Sequence, residues 1–202
     1  MKIYREIGVF LDRDGTINED LSGYIGDPEQ VVLFPGAASA IRKLNELNLR
    51  VMVVTNQAGV ARGYYGEEDV RHTNERMAQL LAREGAHVDG FYYCPHHVEG
   101  IVPRYRIVCE CRKPEPGMLL RAASDFGVDP AQSYIVGDAL SDMLAGDRVG
   151  AKKALVLTGH GRESQTQNEE TQEVQLDYVA QDLSDAVRWI AEDLGKLVKR
   201  ET

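Results

Sequence analysis

The sequence has few of the features that mark membrane-bound or exported proteins. No stretch approaches the roughly 18 apolar residues that a membrane span requires, and residues 1–6 lack the apolar segment of a signal peptide. Only three cysteines are present. An odd number without an export signal favours free or metal-bound thiols in a reducing compartment over a disulfide framework. The lack of a membrane-spanning segment, a signal peptide and a disulfide framework predicts a cytoplasmic protein that does not bind a membrane.

Basic residues are also in short supply. The 202 residues include 23 lysines and arginines against 32 acidic residues, a net charge of −9, which argues against a nucleic-acid-binding surface. The length suits one domain with a sizeable core, so we expect a single domain over residues 1–202. Such an acidic protein needs local cations or a metal to bind an anionic substrate.

Short apolar runs alternate along the chain with segments of helical periodicity, which predicts an α/β fold. Because the strands are continuously apolar, we expect a three-layer arrangement, a mostly parallel sheet with helices on both faces. Predicted strands are 9–11, 51–54, 88–93, 133–136 and 154–157. Predicted helices are 36–48, 67–84, 116–126, a short one after Asp138, and a last one capped by Ser184 with Ala186, Ile190, Leu194 and Leu197 facing inward. The polar segment 17–32 predicts a flap over the first strand, and the polar segment 159–175 predicts a mobile loop.

Several of these strands end in polar residues. Asp12 and Asp14 follow the first strand and, being two apart, point to the same side of an extended segment. The carboxyl ends of parallel strands form one edge of a sheet, where such folds place their ligands. That edge is expected to gather the following residues: Asp12, Asp14, Thr55, Asn56, Asp138 and, one helical turn further on, Asp142, with Arg112 and Lys113 entering from the side.

These residue types suit phosphoryl chemistry. Carboxylates are the oxygen ligands that magnesium prefers, and a lysine and a hydroxyl can neutralise charge that develops on a phosphoryl group. Two neighbouring carboxylates in different environments can divide the roles of nucleophile and acid/base. Each short motif taken alone also fits a turn or a solvated surface pair, so it is their joint placement at strand ends that favours a site.

All three cysteines lie in one segment, 94–111, which also contains two adjacent histidines. Cys94, His96, Cys109 and Cys111 form a complete tetrahedral ligand set for zinc. His97 is the competing ligand; the spacing of His96 from Cys94 mirrors that between the other two cysteines. The alternative is three reduced cysteines beside a surface histidine pair. Four protein ligands leave no open position, so we expect a structural zinc loop.

The ordered motifs Asp12-Arg13-Asp14-Gly15-Thr16, Thr55-Asn56-Gln57, Lys113-Pro114 and Gly137-Asp138 with Asp142 resemble those of the haloacid dehalogenase-like phosphatases, over about residues 9–157. The resemblance implies a Rossmann-like domain without a cap domain. It also implies that Asp12 is the nucleophile that becomes an aspartyl-phosphate, that Asp14 is the acid/base, and that Thr55 and Lys113 bind the phosphoryl group. In such a site Mg²⁺ is held by the Asp12 and Asp138 carboxylates and the Asp14 backbone carbonyl, with Asp142 behind them.

The zinc loop narrows this resemblance to the heptose bisphosphate phosphatases, which remove the C7 phosphate of heptose 1,7-bisphosphate in the carbohydrate metabolism that supplies lipopolysaccharide. Histidinol-phosphate phosphatases are near relatives and the alternative, and a non-catalytic zinc-stabilised binding module is a distant one. The resemblance implies that the sugar is lined by Asp20, Tyr24, Asn56, Gln57 and Ala58. A guanidinium binds phosphate oxygens in pairs, so Arg112 favours a second anionic group. We expect a small phosphorylated sugar as substrate, magnesium and zinc as cofactors, and a monomer.

Overall fold

One parallel sheet of six strands organises the chain, in the order β3-β2-β1-β4-β5-β6. The computed structural model describes residues 6–20 and 23–200, the side chains of 197–200 excepted, so the predicted inward orientation of Leu197 lies outside what it describes. The strands are β1 Gly8–Leu11, β2 Arg50–Asn56, β3 Gly90–Cys94, β4 Tyr134–Gly137, β5 Lys152–Val156 and β6 Tyr178–Ala180. The helices are α1 Ala37–Glu46, α2 Ala58–Ala61, α3 Glu67–Arg83, α4 Gly117–Phe126, α5 Leu140–Arg148, α6 Gly161–Thr171 and α7 Leu183–Arg200.

The alternation of side chains along each strand divides the core into two layers. Val9, Val51 and Val136 point to one face, where they pack against buried residues of α1, α3 and α7. Phe10 and Met52 point to the other face and pack against α4 and α5. Both faces are therefore covered, which confirms the predicted three-layer arrangement and explains why the strands are apolar throughout.

Strand β1 is the point at which the chain changes direction across the sheet. Its residue Leu11 pairs with Val53 of β2 on one side and with Val136 of β4 on the other. The crossovers on the two sides therefore diverge from β1, and a crevice opens at the carboxyl ends of the central strands. The described residues between β1 and α1, and between β3 and α4, contain short 3-10 turns rather than an inserted domain.

Besides the short helix α2, which the sequence does not predict, three details differ from the sequence-based expectations. Within segment 159–175, predicted as a loop, residues Gly161–Thr171 form helix α6. Helix α6 buries only Gly161 and Ser164, so its sequence needs no apolar stripe. Local polar contacts, such as the Gln165–Glu169 hydrogen bond of 2.9 Å, hold the helix instead. The hydrophobic periodicity of the sequence therefore could not indicate this helix. The three-residue edge strand β6 was also missed, because it is too short to show a pattern.

The third difference concerns the start of α7. Asp182 rather than Ser184 caps it: the Asp182 carboxylate accepts a hydrogen bond of 2.8 Å from the backbone N–H of Asp185. The hydroxyl of Ser184 instead faces the carbonyl of Gly36 at 3.4 Å. The inward-facing positions Ala186, Ile190 and Leu194 are buried as predicted. Among the residues that the structure describes, no helix is long and apolar enough to cross a membrane.

Candidate active site

The central strands bring the predicted acidic residues together at one edge of the sheet. Asp12 directly follows β1, and its backbone N–H donates to the carbonyl of Val136 in β4 at 2.9 Å, so that the end of β1 stays attached to its neighbour. Asp138 directly follows β4, and Asp142 lies one turn into the chain beyond it. Ligand oxygens of these three buried carboxylates lie within 4.8 Å of one another.

Lys113 is the cation that faces this cluster. Its ammonium donates to Asp12 Oδ1 at 2.7 Å and to the carbonyl of Val54 at 2.7 Å, and it also contacts the Asp142 carboxylate. Burial alone would lower the pKa of Lys113, but Asp12 and Asp142 raise it above its usual range. The side chain therefore stays charged although it is only 3% exposed.

The charges of this cluster do not balance. Three carboxylates, those of Asp12, Asp138 and Asp142, face one ammonium, which leaves two negative charges when all are ionised. Burial and the neighbouring carboxylates raise the pKa of Asp12 to about 7 and that of Asp138 to about 8, although Lys113 acts in the opposite direction on both. A divalent cation with a preference for oxygen ligands would supply the missing charge, so the residues present fit Mg²⁺.

Two glycines leave room for the Asp138 carboxylate. A Cβ atom at Gly15 or at Gly159 would collide with it, and both glycines have positive φ, +82° and +53°. The backbone N–H of His160, at the start of α6, donates to Asp138 Oδ2 at 2.7 Å. The carboxylate is therefore held from the backbone side while the cavity side stays available for a ligand.

Asp14 lies in a different environment from Asp12. Arg13, fully buried, donates to both Asp14 oxygens, from Nε at 2.9 Å and from its terminal nitrogen at 2.8 Å. Asn18 and Gln57 each add one hydrogen bond, at 3.0 and 2.8 Å. Burial alone would raise the pKa of Asp14, but the Arg13 guanidinium and these donors lower it below its usual value. The two predicted carboxylates thus have opposite pKa shifts, as expected of groups with different tasks.

The three residues that end β2 and begin the next turn support the site through their amides and hydroxyl. The Asn56 amide binds the backbone N–H and carbonyl of Lys113, both at 3.0 Å, which fixes the loop that carries the lysine. The Gln57 amide donates to Thr55 Oγ1 at 2.9 Å as well as to Asp14. The polar groups of Asn56 and Gln57, expected to line the sugar, are therefore already bonded to protein.

A cavity of about 220 Å³ opens above these groups. All twelve site residues predicted outside the zinc loop line it: Asp12, Asp14, Asp20, Tyr24, Thr55, Asn56, Gln57, Ala58, Arg112, Lys113, Asp138 and Asp142. Tyr24 forms part of the flap side, where its ring packs edge-on against Tyr64 at 4.9 Å. Arg112 enters from the zinc loop, and its guanidinium donates to the carbonyl of His96 at 3.3 Å. The cavity thus combines acidic and basic walls.

The predicted zinc ligands also converge. The sulfur atoms of Cys94, Cys109 and Cys111 lie 3.1–3.6 Å apart, and His96 Nδ1 lies 3.4 Å from Cys111 Sγ and 3.7 Å from Cys94 Sγ. These separations exceed a disulfide bond of about 2.05 Å and approach the roughly 3.8 Å between sulfurs that Zn–S bonds of about 2.3 Å give in a tetrahedron. His97 Nδ1 instead accepts from the backbone N–H of Glu99. The cluster therefore fits a metal ion, with His96 as its nitrogen ligand.

Sequence reasoning missed several residues that shape the site. Arg13, Asn18, Asn74 and Tyr65 form the hydrogen-bonded surroundings of Asp14, directly or through one neighbour. Of these, only Arg13 carried a usable signal, as a charged residue enclosed between two carboxylates at a buried strand end. The others are distant in sequence or lie in polar segments without periodicity. His160, which also lines the cavity, follows β5 and was assigned to the predicted loop.

The parallel order β3-β2-β1-β4-β5-β6, with paired carboxylates after β1 and a further one after β4, defines an HAD-like hydrolase. The family model described as HAD-hydrolase-like matches residues 110–186. A crystal structure of D,D-heptose 1,7-bisphosphate phosphatase from B. bronchiseptica, complexed with magnesium and phosphate, is similar at a TM-score of 0.82 and 31% identity, covering 93% of this chain and 99% of that one.

Relatives of known name are closer in sequence. D-glycero-beta-D-manno-heptose-1,7-bisphosphate 7-phosphatase of Rhodopseudomonas palustris is 45% identical over 146 residues, covering 72% of this chain and 81% of that protein. The protein of the same name from Escherichia coli K12 is 46% identical over 153 residues, 75% of this chain and 79% of its own. The chain belongs to this family of HAD-like phosphatases.

Proposed function

We propose that this protein hydrolyses the C7 phosphate of D-glycero-D-manno-heptose 1,7-bisphosphate. The observation that carries the proposal is the meeting of Asp12, Asp14, Thr55, Lys113 and Asp138 around one cavity at the carboxyl ends of β1, β2 and β4. Family membership supports the substrate class. The complete catalytic set argues against the non-catalytic binding module, which has no need of a buried cluster of unbalanced charges.

In the proposed reaction, one oxygen of the Asp12 carboxylate attacks the C7 phosphorus. The bond between phosphorus and the C7 oxygen breaks, and Asp14 gives its proton to that departing oxygen. A water molecule then attacks the aspartyl-phosphate and passes a proton to Asp14, which frees inorganic phosphate and restores Asp12. Thr55 and Lys113 bind the phosphoryl oxygens during both displacements.

The lowered pKa of Asp14 bears on the order of these steps. In the free protein Asp14 is ionised, the form that accepts a proton from water in the second step. A bound phosphate brings further negative charge close to this carboxylate, and a nearby like charge raises a carboxyl pKa. Proton uptake by Asp14 is therefore expected to accompany substrate binding, which prepares it to act first as an acid.

We propose Mg²⁺ at the cluster of three carboxylates, held by Asp12, Asp138 and the backbone carbonyl of Asp14, with Asp142 supporting Lys113 behind them. Bound magnesium would neutralise charge on the transferring phosphoryl group. We propose structural Zn²⁺ at Cys94, His96, Cys109 and Cys111. Hydrogen bonding with the neighbouring sulfurs of Cys94 and Cys109 lowers the pKa of Cys111 to about 5, although burial acts in the opposite direction, so one ligand is already disposed to be a thiolate.

A heptose substrate, rather than histidinol phosphate, is favoured by the wall that Arg112 forms. Its guanidinium suits a second phosphate, which heptose 1,7-bisphosphate has and histidinol phosphate lacks. The proposed sugar contacts are Asp20, Tyr24 and Ala58, with Asn56 and Gln57 lining the same cavity. The cytoplasmic location, the single domain over residues 1–202 and the monomeric state remain predictions.

The test is release of phosphate in the presence of magnesium, with heptose 1,7-bisphosphate and histidinol phosphate compared side by side. We expect a kcat/KM at least ~100-fold higher for the heptose, about 2.7 kcal/mol of transition-state discrimination. Replacement of Arg112 by Met should remove most of this preference and leave hydrolysis of a monophosphate nearly unchanged. A preference for histidinol phosphate would contradict the proposed substrate and leave the phosphatase assignment standing.

A further inference from the structure

The side chain of Gln57 is almost fully enclosed by protein. It is 1% exposed, and its amide has three partners: Nε2 lies 2.8 Å from Asp14 Oδ2 and 2.9 Å from Thr55 Oγ1, and Oε1 lies 2.9 Å from the Tyr65 hydroxyl. The two donor positions and the acceptor of this amide are therefore occupied. Such a side chain has little left with which to recognise a sugar.

The chemistry of the partners fixes the direction of each hydrogen bond. The Arg13 guanidinium, which can only donate, bonds to both Asp14 oxygens, so these oxygens act as acceptors and the NH₂ group of Gln57 is the end that faces Asp14. Its carbonyl oxygen then faces Tyr65, whose hydroxyl must donate. The second N–H of Gln57 donates to Thr55 Oγ1, which turns the hydroxyl proton of Thr55 away from Gln57 and leaves it to be given to another acceptor.

Tyr65 is well placed to hold this arrangement because its ring cannot turn freely. A Cβ atom at Gly26, in the flap, or at Gly59, in α2, would collide with the ring, so Tyr65 is enclosed between two backbone segments. The hydroxyl is thereby aimed at Gln57 from a packed position. The adjacent Tyr64, in contrast, is 62% exposed.

We propose that Gln57 and Tyr65 are positioning residues: Tyr65 sets the orientation of the Gln57 amide, which in turn orients Asp14 toward the departing oxygen and the Thr55 hydroxyl proton toward the phosphoryl group. The inference rests on the proposed phosphatase function. It assigns to Gln57 a role in the chemical step in place of the sugar contact that its position in the cavity wall suggests.

The first experiment separates kcat from KM for heptose 1,7-bisphosphate in Tyr65→Phe, which removes only the hydroxyl, and in the matched control Tyr64→Phe. We expect Tyr65→Phe to lower kcat by about 3- to 10-fold, the value of one net hydrogen bond, with KM changed less than about twofold. Tyr64→Phe should keep both constants. A raised KM at constant kcat in Tyr65→Phe, or equal effects of the two changes, would overturn the proposal.

The second experiment removes the sugar altogether by comparing phenyl phosphate with 2,4-dinitrophenyl phosphate, whose leaving group departs without a proton. In Gln57→Met we expect kcat/KM to fall at least ~100-fold for phenyl phosphate and no more than about 10-fold for the dinitrophenyl ester. In a Gln57→Met protein with the circular dichroism of the wild type, equal losses for the two esters, or no loss for either, would contradict positioning of Asp14. A wild-type protein that releases phosphate neither from these esters nor from heptose 1,7-bisphosphate would instead refute the proposed function.

Discussion

At the scale of single residues, the site is where this chain departs from the usual rules of burial. Carboxylates are seldom buried without a partner, yet Asp12 and Asp142 share the Lys113 ammonium, and a carboxylate oxygen of Asp138 lies within 4.8 Å of theirs. Sequence reasoning found these residues because each follows an apolar strand or lies one turn beyond its end. It could not find Tyr65 or Asn74, whose contacts with the site depend on the tertiary fold and leave no local pattern.

Asp138→Asn should stabilise the magnesium-free protein. In the folded protein the pKa of Asp138 is raised from 3.8 to about 8, so the stability linked to its protonated form is complete below about pH 4 and is lost as the pH rises through about 8. The amide of the Asp138→Asn variant does not ionise, so the variant does not lose this stability as the pH rises. In magnesium-free buffer without chelator, the advantage of the variant in free energy of unfolding should therefore grow between pH 5 and pH 8, to on the order of 2 kcal/mol.

Excess magnesium should reverse this order, because binding to the folded wild type alone adds to its stability and the variant lacks a ligand. Chemical denaturation at several pH values, with and without magnesium, measures both effects. A difference in free energy of unfolding between Asp138→Asn and the wild type that does not change with pH would mean that other groups compensate the charge of the Asp138 carboxylate.

At the scale of elements, the zinc loop shows how a segment with little core is held. Between β3 and α4, Tyr105 is buried in a small cluster with Val60, Ala61 and Val70, and the four proposed zinc ligands lie together where the two ends of the segment meet. The ligand types could be predicted because all three cysteines lie within 18 residues of one another. The choice between the adjacent histidines needed the structure.

His96→Ala and Cys109→Ser should each lose bound zinc and destabilise the fold by several kcal/mol, on the order of 3, because a structural metal contributes directly to folding. His97→Ala, one residue away, is the matched control and should keep both zinc and stability. Elemental analysis and thermal unfolding report the two properties. Full zinc content in His96→Ala together with its loss in His97→Ala would reverse the assignment.

The start of α7 offers a second comparison of neighbouring residues. Asp182→Ala should lower the free energy of unfolding by about 1 kcal/mol, because it removes the acceptor that caps the helix. Ser184→Ala should have a smaller effect, since its hydroxyl makes only a 3.4 Å contact with Gly36. Equal losses in urea denaturation would show that the cap does not determine this helix end. Helix α6, by contrast, could not be predicted, because polar contacts hold it and no apolar face marks it.

At the scale of the whole molecule, the strand order decides where chemistry is placed. The sequence predicted a parallel sheet covered on both faces, and two core layers confirm it. Periodicity does not encode the order of the strands. That order sets β1 between β2 and β4, so residues from 12 to 142 meet at one crevice. The motifs predicted that these residues share one edge of the sheet. The strand order explains why that edge is the one at the carboxyl ends of the central strands.

The measurement that tests the central claim most directly is magnesium-dependent turnover of heptose 1,7-bisphosphate by wild type and Asp12→Asn, with rapid acid quenching and mass analysis of the peptide that contains residue 12. We expect the wild type to release the C7 phosphate and to carry a phosphoryl group on Asp12 during turnover. Asp12→Asn should fold, with the same circular dichroism, and show neither turnover nor phosphoryl group. Retained hydrolysis in Asp12→Asn, free of contaminating phosphatase, or a phosphoryl group on another residue, would contradict Asp12 as the nucleophile.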